Sequence, residues 1–178
     1  MAGPLARATS RKSINRAPSP VLAIALPWVM VMLASTLPLW PLFTEAPLLP
    51  PLGFMTLIAW AQYRPGLFLV WAGLPLGLID DLYSGQPFGS AVLLWGLAMI
   101  AVDLVEARFP WRGFVQDWAG AAVLIALYLA LAALLAGAAL SGLALILPQI
   151  VLAALLFPLV GRAVAVVDRW RLLRIKAL

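Results

Sequence analysis

The sequence predicts an all-α, polytopic membrane protein built as a bundle of six transmembrane helices. Three observations predict it. The 178 residues are 65% hydrophobic and 11% charged, with mean hydropathy +1.04, where soluble domains run at about 45–50% apolar and about 25% charged. Six apolar segments, bounded by charges or by Gly/Pro breaks, fill residues 21–167. When the chain crosses six times, all 12 Lys and Arg fall on one side of the membrane, which is a complete instance of the positive-inside rule.

Residues 1–20 carry Arg7, Arg11, Lys12 and Arg16 among small polar residues and prolines, a composition that reads as a disordered basic tail. The apolar run that follows is too long for the ~7–15-residue core of a signal peptide and has no small-residue cleavage site, so it is the first span. The spans are expected at about 21–43, 47–63, 67–83, 88–106, 115–136 and 142–167, and residues 168–178 form a basic C-terminal tail. The second and third sit near the lower limit of ~17 residues for a crossing. Joining them as a re-entrant hairpin would bury Arg64 at a cost of ~2.5 kcal/mol or more, so two short spans with Arg64 at an interface are expected. The loops with Arg64 and with Arg108 and Arg112 then share a side with both tails, which puts both termini in the cytoplasm.

Tryptophans support the boundaries: Trp40 at the outer end of span one, Trp60 and Trp71 flanking Arg64, and Trp111, Trp118 and Trp170 near inner boundaries, where indoles favour the headgroup level. Trp28 and Trp95 lie deeper and are expected to pack. Pro47, Pro50 and Pro51 mark the outer start of span two. Pro27, Pro38, Pro75, Pro148 and Pro158 lie inside apolar runs and are expected to kink them.

The inventory excludes several chemistries. With no Cys and no His, the chain has no thiol nucleophile, thiolate site or imidazole base. No nucleophile elbow, phosphate loop or zinc-protease motif occurs, and no metal or cofactor is expected. The cations lie in tails and loops rather than in a groove interleaved with aromatics, so nucleic acid is not an expected partner.

Attention therefore turns to the ionisable groups inside the spans. Asp80 and Asp81 close span three about 100° apart on the helix, so they do not form a facing dyad. Both stand at a helix C-terminus, where the dipole disfavours an anion and some compensating group is called for. Wetting at the outer surface is the simple reading of both. Asp81 has a second one, because Gly73, Gly77, Asp81 and Gly85 recur four apart as a small-residue seam that ends at Gly85-Gln86-Pro87 and Gly89. Asp103 and Glu106, three apart near the inner end of span four, are expected to be neutralised by Arg108, Arg112 or the C-terminal cations. Asp117 is expected to cap span five, and Glu45 to be solvated in an outer loop.

The stretch Gly77-Leu-Ile-Asp80-Asp81-Leu-Tyr-Ser-Gly85-Gln-Pro87-Phe-Gly89 resembles the G-x-x-x-D-x-x-x-G-x-x-x-G stretch of MreD, the bacterial rod shape-determining membrane protein family. Pro47, Pro50 and Pro51, Arg64-Pro65-Gly66, Pro158 before Arg162, the length and the basic tail are also similar. The resemblance implies that Asp81 takes the family's acidic position and that Gly77, Gly85 and Gly89 take its glycines. It further implies a non-enzymatic scaffold of lateral peptidoglycan synthesis in the bacterial inner membrane, working with MreC, MreB, RodA and an elongation-specific penicillin-binding protein. The fold implied is similar to the six-helix substrate-binding subunits of energy-coupling-factor vitamin transporters. A small-molecule carrier subunit is accordingly the alternative, and it requires a pocket of hydrogen-bonding groups among the outer loops.

On the scaffold reading, a helix-packing or partner interface is expected at Gly73, Gly77, Asp81, Gly85 and Gly89, where a partner's transmembrane helix could dock. Cytoplasmic contacts to anionic lipid or partners are expected at Arg108, Arg112, Arg162, Arg169, Arg171 and Arg174. Asp81 is either the partner contact or an internal brace.

Overall fold

A computed structural model describes residues 20–37, 49–109 and 113–171. Among them are six α-helices and no strand: α1 (Pro20–Thr36), α2 (Leu52–Tyr63), α3 (Gly73–Tyr83), α4 (Ser90–Arg108), α5 (Phe114–Leu135) and α6 (Leu147–Arg171). Short 3-10 stretches, Val70–Ala72 and Leu140–Ile146, lead into α3 and α6. The six-helix all-α class expected from the sequence is the class observed. Three helical stretches are long and apolar enough to cross a membrane, Ser90–Arg108, Phe114–Leu135 and Gly142–Trp170, and the chain is a membrane protein. The N-terminal tail, Trp40, Glu45, Pro38, Pro47, Trp111, Arg112, Arg174 and residues 172–178 lie outside the described residues.

Helix α2 is the hub. Every residue from Gly53 to Ala61 is buried, because α2 packs against α1, α4, α5 and α6 together. A helix enclosed by protein on all sides carries apolar residues around its whole circumference, as α2 does. At 12 residues it is only about 18 Å long, yet two hydrogen bonds register its segment against α6. Gln149 Nε2 donates to the Leu49 carbonyl at 2.6 Å at one end, and Arg64 meets Asp168 at the other. Between Gln149 and Asp168 α6 covers about 28 Å at 1.5 Å per residue. Leu49 and Arg64 bound the α2 segment and meet α6 in the same chain order, at Gln149 and then Asp168. The segment therefore runs alongside α6, in the same direction.

The enclosure of α2 corrects the expectation for Trp60. Its indole is fully buried rather than at the headgroup level, and its Nε1 faces the Met30 sulfur at 3.4 Å. Trp71 lies beside Trp28 at 6.1 Å between ring centroids, and Trp28 meets Phe68 edge-on at 5.7 Å. At the other end of the bundle Phe54 stacks on Tyr128 at 4.3 Å and leans on the fully buried Trp95 at 5.9 Å. Trp28 and Trp95 pack as expected, and Trp170 is exposed.

The prolines divide into two groups. Pro27 and Pro158 lie inside helices, whereas Pro75 and Pro148 fall in the first turns of α3 and α6, each just after a 3-10 stretch. A first-turn N–H has no intrahelical acceptor, so those two prolines set helix starts instead of kinks. Pro158 removes the N–H that would bond the Ala154 carbonyl four residues earlier. The Trp118 indole takes that carbonyl at 2.8 Å. Trp118 thus ties α5 to α6, a packing role in place of the interfacial one expected.

Candidate functional site

The densest polar construction joins α3 to α4. Helix α4 begins at Ser90 with Gly89 as its cap residue, and no side chain of its own satisfies the free N–H groups there. Asp81, from the preceding helix, does so. Its Oδ2 accepts the Gly89 N–H at 2.9 Å and the Val92 N–H at 3.2 Å, and its Oδ1 accepts the Ala91 N–H at 2.8 Å and the Ser90 hydroxyl at 3.4 Å. A carboxylate at a helix N-terminus is favoured by both the unpaired donors and the dipole. The compensation that Asp81 needs at the C-terminal end of α3 is therefore the N-terminus of α4. Asp81 is buried, and its hydrogen bonds all go to the start of α4 in the same chain.

The connection that permits this cap turns on glycine. Gly85 and Gly89 adopt φ of +67° and +90°, left-handed values that a Cβ disfavours. They reverse the chain tightly enough to return Ser90 to Asp81. Gly73 and Gly77 serve a different purpose on the same stripe. A Cβ at Gly77 would lie 2.6 Å from the Ala91 carbonyl oxygen, and one at Gly73 would lie 2.7 Å from that of Trp95. The seam is occupied by the α4 backbone of the same chain, leaving no room there for a partner's helix. Gly73 and Gly77 face α4 directly, Asp81 locks its start, and Gly85 and Gly89 shape the turn.

Asp80 is buried rather than wetted at the surface. It points away from Asp81, toward Ser35 of α1 and Tyr128 of α5, with Trp95 of α4 next to Tyr128. Side chains of α1, α3 and α5 thus meet around one carboxyl group, with Trp95 beyond Tyr128, and every side chain named is buried. Adjacent acids about 100° apart can both be buried because α3 packs against α4 on one side and α1 on the other.

The opposite end of the bundle is held by Arg64, the residue that ends α2, and Asp168 of α6. Arg64 Nη2 lies 2.6 Å and Nε 3.0 Å from Asp168 Oδ2. The hydrogen bond and charge of Asp168 raise the Arg64 pKa further, so the guanidinium stays ionised. Asp168 is almost fully buried while Arg64 is nearly half exposed, an arrangement in which the cation covers the acid. Sequence reasoning overlooked Asp168, because Arg169 and Arg171 beside it read as a solvated basic tail; helix α6 in fact continues to Arg171. The signal was a single acid following the apolar run Ala163-Val164-Ala165-Val166-Val167.

The remaining expected residues are dispersed. Asp103 and Glu106 line a small recess with Arg64. Arg108 ends α4, and Arg162 and Arg169 are exposed on α6. At the start of α5 the side-chain cap comes from Gln116, whose Oε1 accepts the Gly113 N–H at 2.9 Å. Asp117 stands one position further on and lines a cavity of about 520 Å³ between α2, α5 and α6. Gln62 Nε2 donates to its backbone carbonyl at 3.1 Å. Among the described residues no group of His, Cys, Asp and Glu is placed to hold a metal ion.

A family model described as rod shape-determining protein MreD matches residues 21–162, well over half of the chain. No curated protein and no solved structure matches it.

Proposed function

The chain belongs to the MreD family of rod shape-determining proteins, and from that premise we propose that it is a non-catalytic scaffold of lateral peptidoglycan synthesis in the bacterial inner membrane. Its partners on this reading are an MreC-like protein, the actin-like MreB, RodA and an elongation-specific penicillin-binding protein. Both termini face the cytoplasm, which puts the Arg64–Asp168 end inside and the α3–α4 turn outside.

The observation that carries the reading is the use made of polar groups within the bundle. Asp81 caps α4, Asp168 pairs with Arg64, Trp118 takes the carbonyl freed by Pro158, and Gln149 holds Leu49. Each joins one part of the chain to another, as a rigid framework requires. The carrier alternative needs polar groups turned into an outer pocket, and Asp80 and Asp81 are instead buried among helices. With the Gly73/Gly77 seam filled by α4, partner contact falls to the outward face of the α3–α4 pair, where Leu74, Leu78, Leu82, Leu93 and Leu97 are exposed.

The test is replacement in a rod-shaped bacterium depleted of its own MreD-family protein. The full chain is expected to restore rods and to co-purify with the MreC-like protein. Restored rods without that association, or association without restored rods, would contradict the scaffold reading.

A further inference from the structure

We propose that two copies of the chain pair in the membrane through the exposed face of α4, as a parallel two-stranded coiled coil closed by reciprocal ion pairs between Asp103 and Arg108. The proposal needs only that the chain spans a bilayer and is independent of the scaffold reading. It leaves Leu74, Leu78 and Leu82 of α3 to a partner.

On one side α4 packs against α2, α3 and α5. On the other, Leu93, Leu97, Ile100 and Leu104 are exposed, and Ala107 continues the row. Their spacing of four, three, four and three residues is the alternation of d and a positions in a heptad, and the row runs about 21 Å along the helix. Exposed leucines alone suit lipid as well as protein. The two charged residues that border the row select a second copy. In the same register Asp103 takes the g position before Leu104, and Arg108 the e position after it, about 140° apart on the helix. Side chains five residues apart, on opposite edges of a helix face, do not meet within that helix. Both are exposed, and among the described residues neither is in an ion pair.

A second copy satisfies both charges. The positive-inside rule gives every copy the same topology, so a two-fold axis along the membrane normal sets the two α4 helices parallel and in register. A parallel coiled coil brings each g residue to the e residue five positions further on in the facing helix. Asp103 of each copy thereby meets Arg108 of the other, once on each edge of the seam. One helix thus carries both halves of the contact, as an isologous interface requires. A different transmembrane helix would have to bring its own cation and its own acid at the same two heights. The pairs fall in the last turns of α4, where they lie outside the leucine row and leave the apolar seam free of charge.

The chain has no cysteine, so single-cysteine variants of the full chain, in membranes of bacteria that express it, test the pairing. Oxidation is expected to link Leu97→Cys and Leu104→Cys into dimers at least about tenfold more than Val123→Cys, a position exposed on α5. In the Leu97→Cys background, Asp103→Arg or Arg108→Asp sets like charges together and is expected to lower that link at least about fivefold, with helix content unchanged. Co-expression of those two variants restores opposite charges at both contacts, so the link is expected to return, as it is in the variant that carries both changes. Equal linking of Leu97→Cys and Val123→Cys, indifference to either single charge change, or no link from the co-expressed pair would overturn the proposal. So would a Leu97→Cys link to a polypeptide other than this chain.

Discussion

The two ends of the bundle are held together by opposite means. At the α3–α4 turn a single buried carboxylate meets three backbone N–H groups and a hydroxyl within a stretch of 12 residues, so the contact is local in sequence and closed to solvent. At the other end Arg64 and Asp168 are 104 residues apart, one partner is nearly half exposed, and a cavity opens beside them. The first arrangement fixes one geometry, because a displaced carboxylate leaves several buried donors unsatisfied. The second tolerates movement, because water can solvate an exposed guanidinium when the pair parts. One end is closed and local in sequence; the other is open and joins helices far apart in the chain.

Substitutions can break that contrast. Gly77→Leu is expected to do the most, since even a Cβ meets the Ala91 carbonyl at 2.6 Å; forcing α3 from α4 should cost upward of ~3 kcal/mol, visible as loss of the folded species in size-exclusion chromatography. Asp81→Leu follows, at about 2–4 kcal/mol in reversible detergent unfolding, because it strips the α4 start of its acceptors and leaves buried donors behind. Asp81→Asn keeps one acceptor oxygen and should cost about 1 kcal/mol.

At the open end the effects shrink. Arg64→Gln takes the guanidinium away from buried Asp168, and because Arg64 is nearly half exposed the expected loss is about 1–2 kcal/mol. Trp118→Phe removes one hydrogen bond to the Ala154 carbonyl, worth about 1 kcal/mol, in the same unfolding assay. Arg169→Gln, exposed on α6, should stay within ~0.5 kcal/mol of the parent. An Arg64→Gln loss as large as that of Asp81→Leu would erase the distinction between the two ends.

What the sequence made legible follows the same division. Local signals served well: the four-residue spacing of Gly73, Gly77 and Asp81 and the turn glycines were visible, because the seam and the cap are made by residues close together in the chain. Which helix fills a glycine seam is a tertiary fact, and small residues every fourth position fit a partner's helix as well as a neighbouring one. Trp60 and Trp118 were misplaced for a related reason. An indole near a helix end suits the headgroup region, and only the enclosure of α2 and the carbonyl freed by Pro158 show that these two turn inward. Asp168 stayed hidden because neighbouring cations suggested solvent, while its partner lies on another helix. Asp80 needed the position of α3 between two packing partners, which no pattern along one strand of sequence contains.

The most direct measurement pairs unfolding stability with rod-shape rescue for Asp81→Asn and Asp81→Leu in the same cells and purified preparations. If Asp81 acts by bracing α3 to α4, rescue should fall in step with stability, modestly for Asn and severely for Leu. Normal stability with rods lost would show that Asp81 instead reaches a partner, and the internal brace would be contradicted.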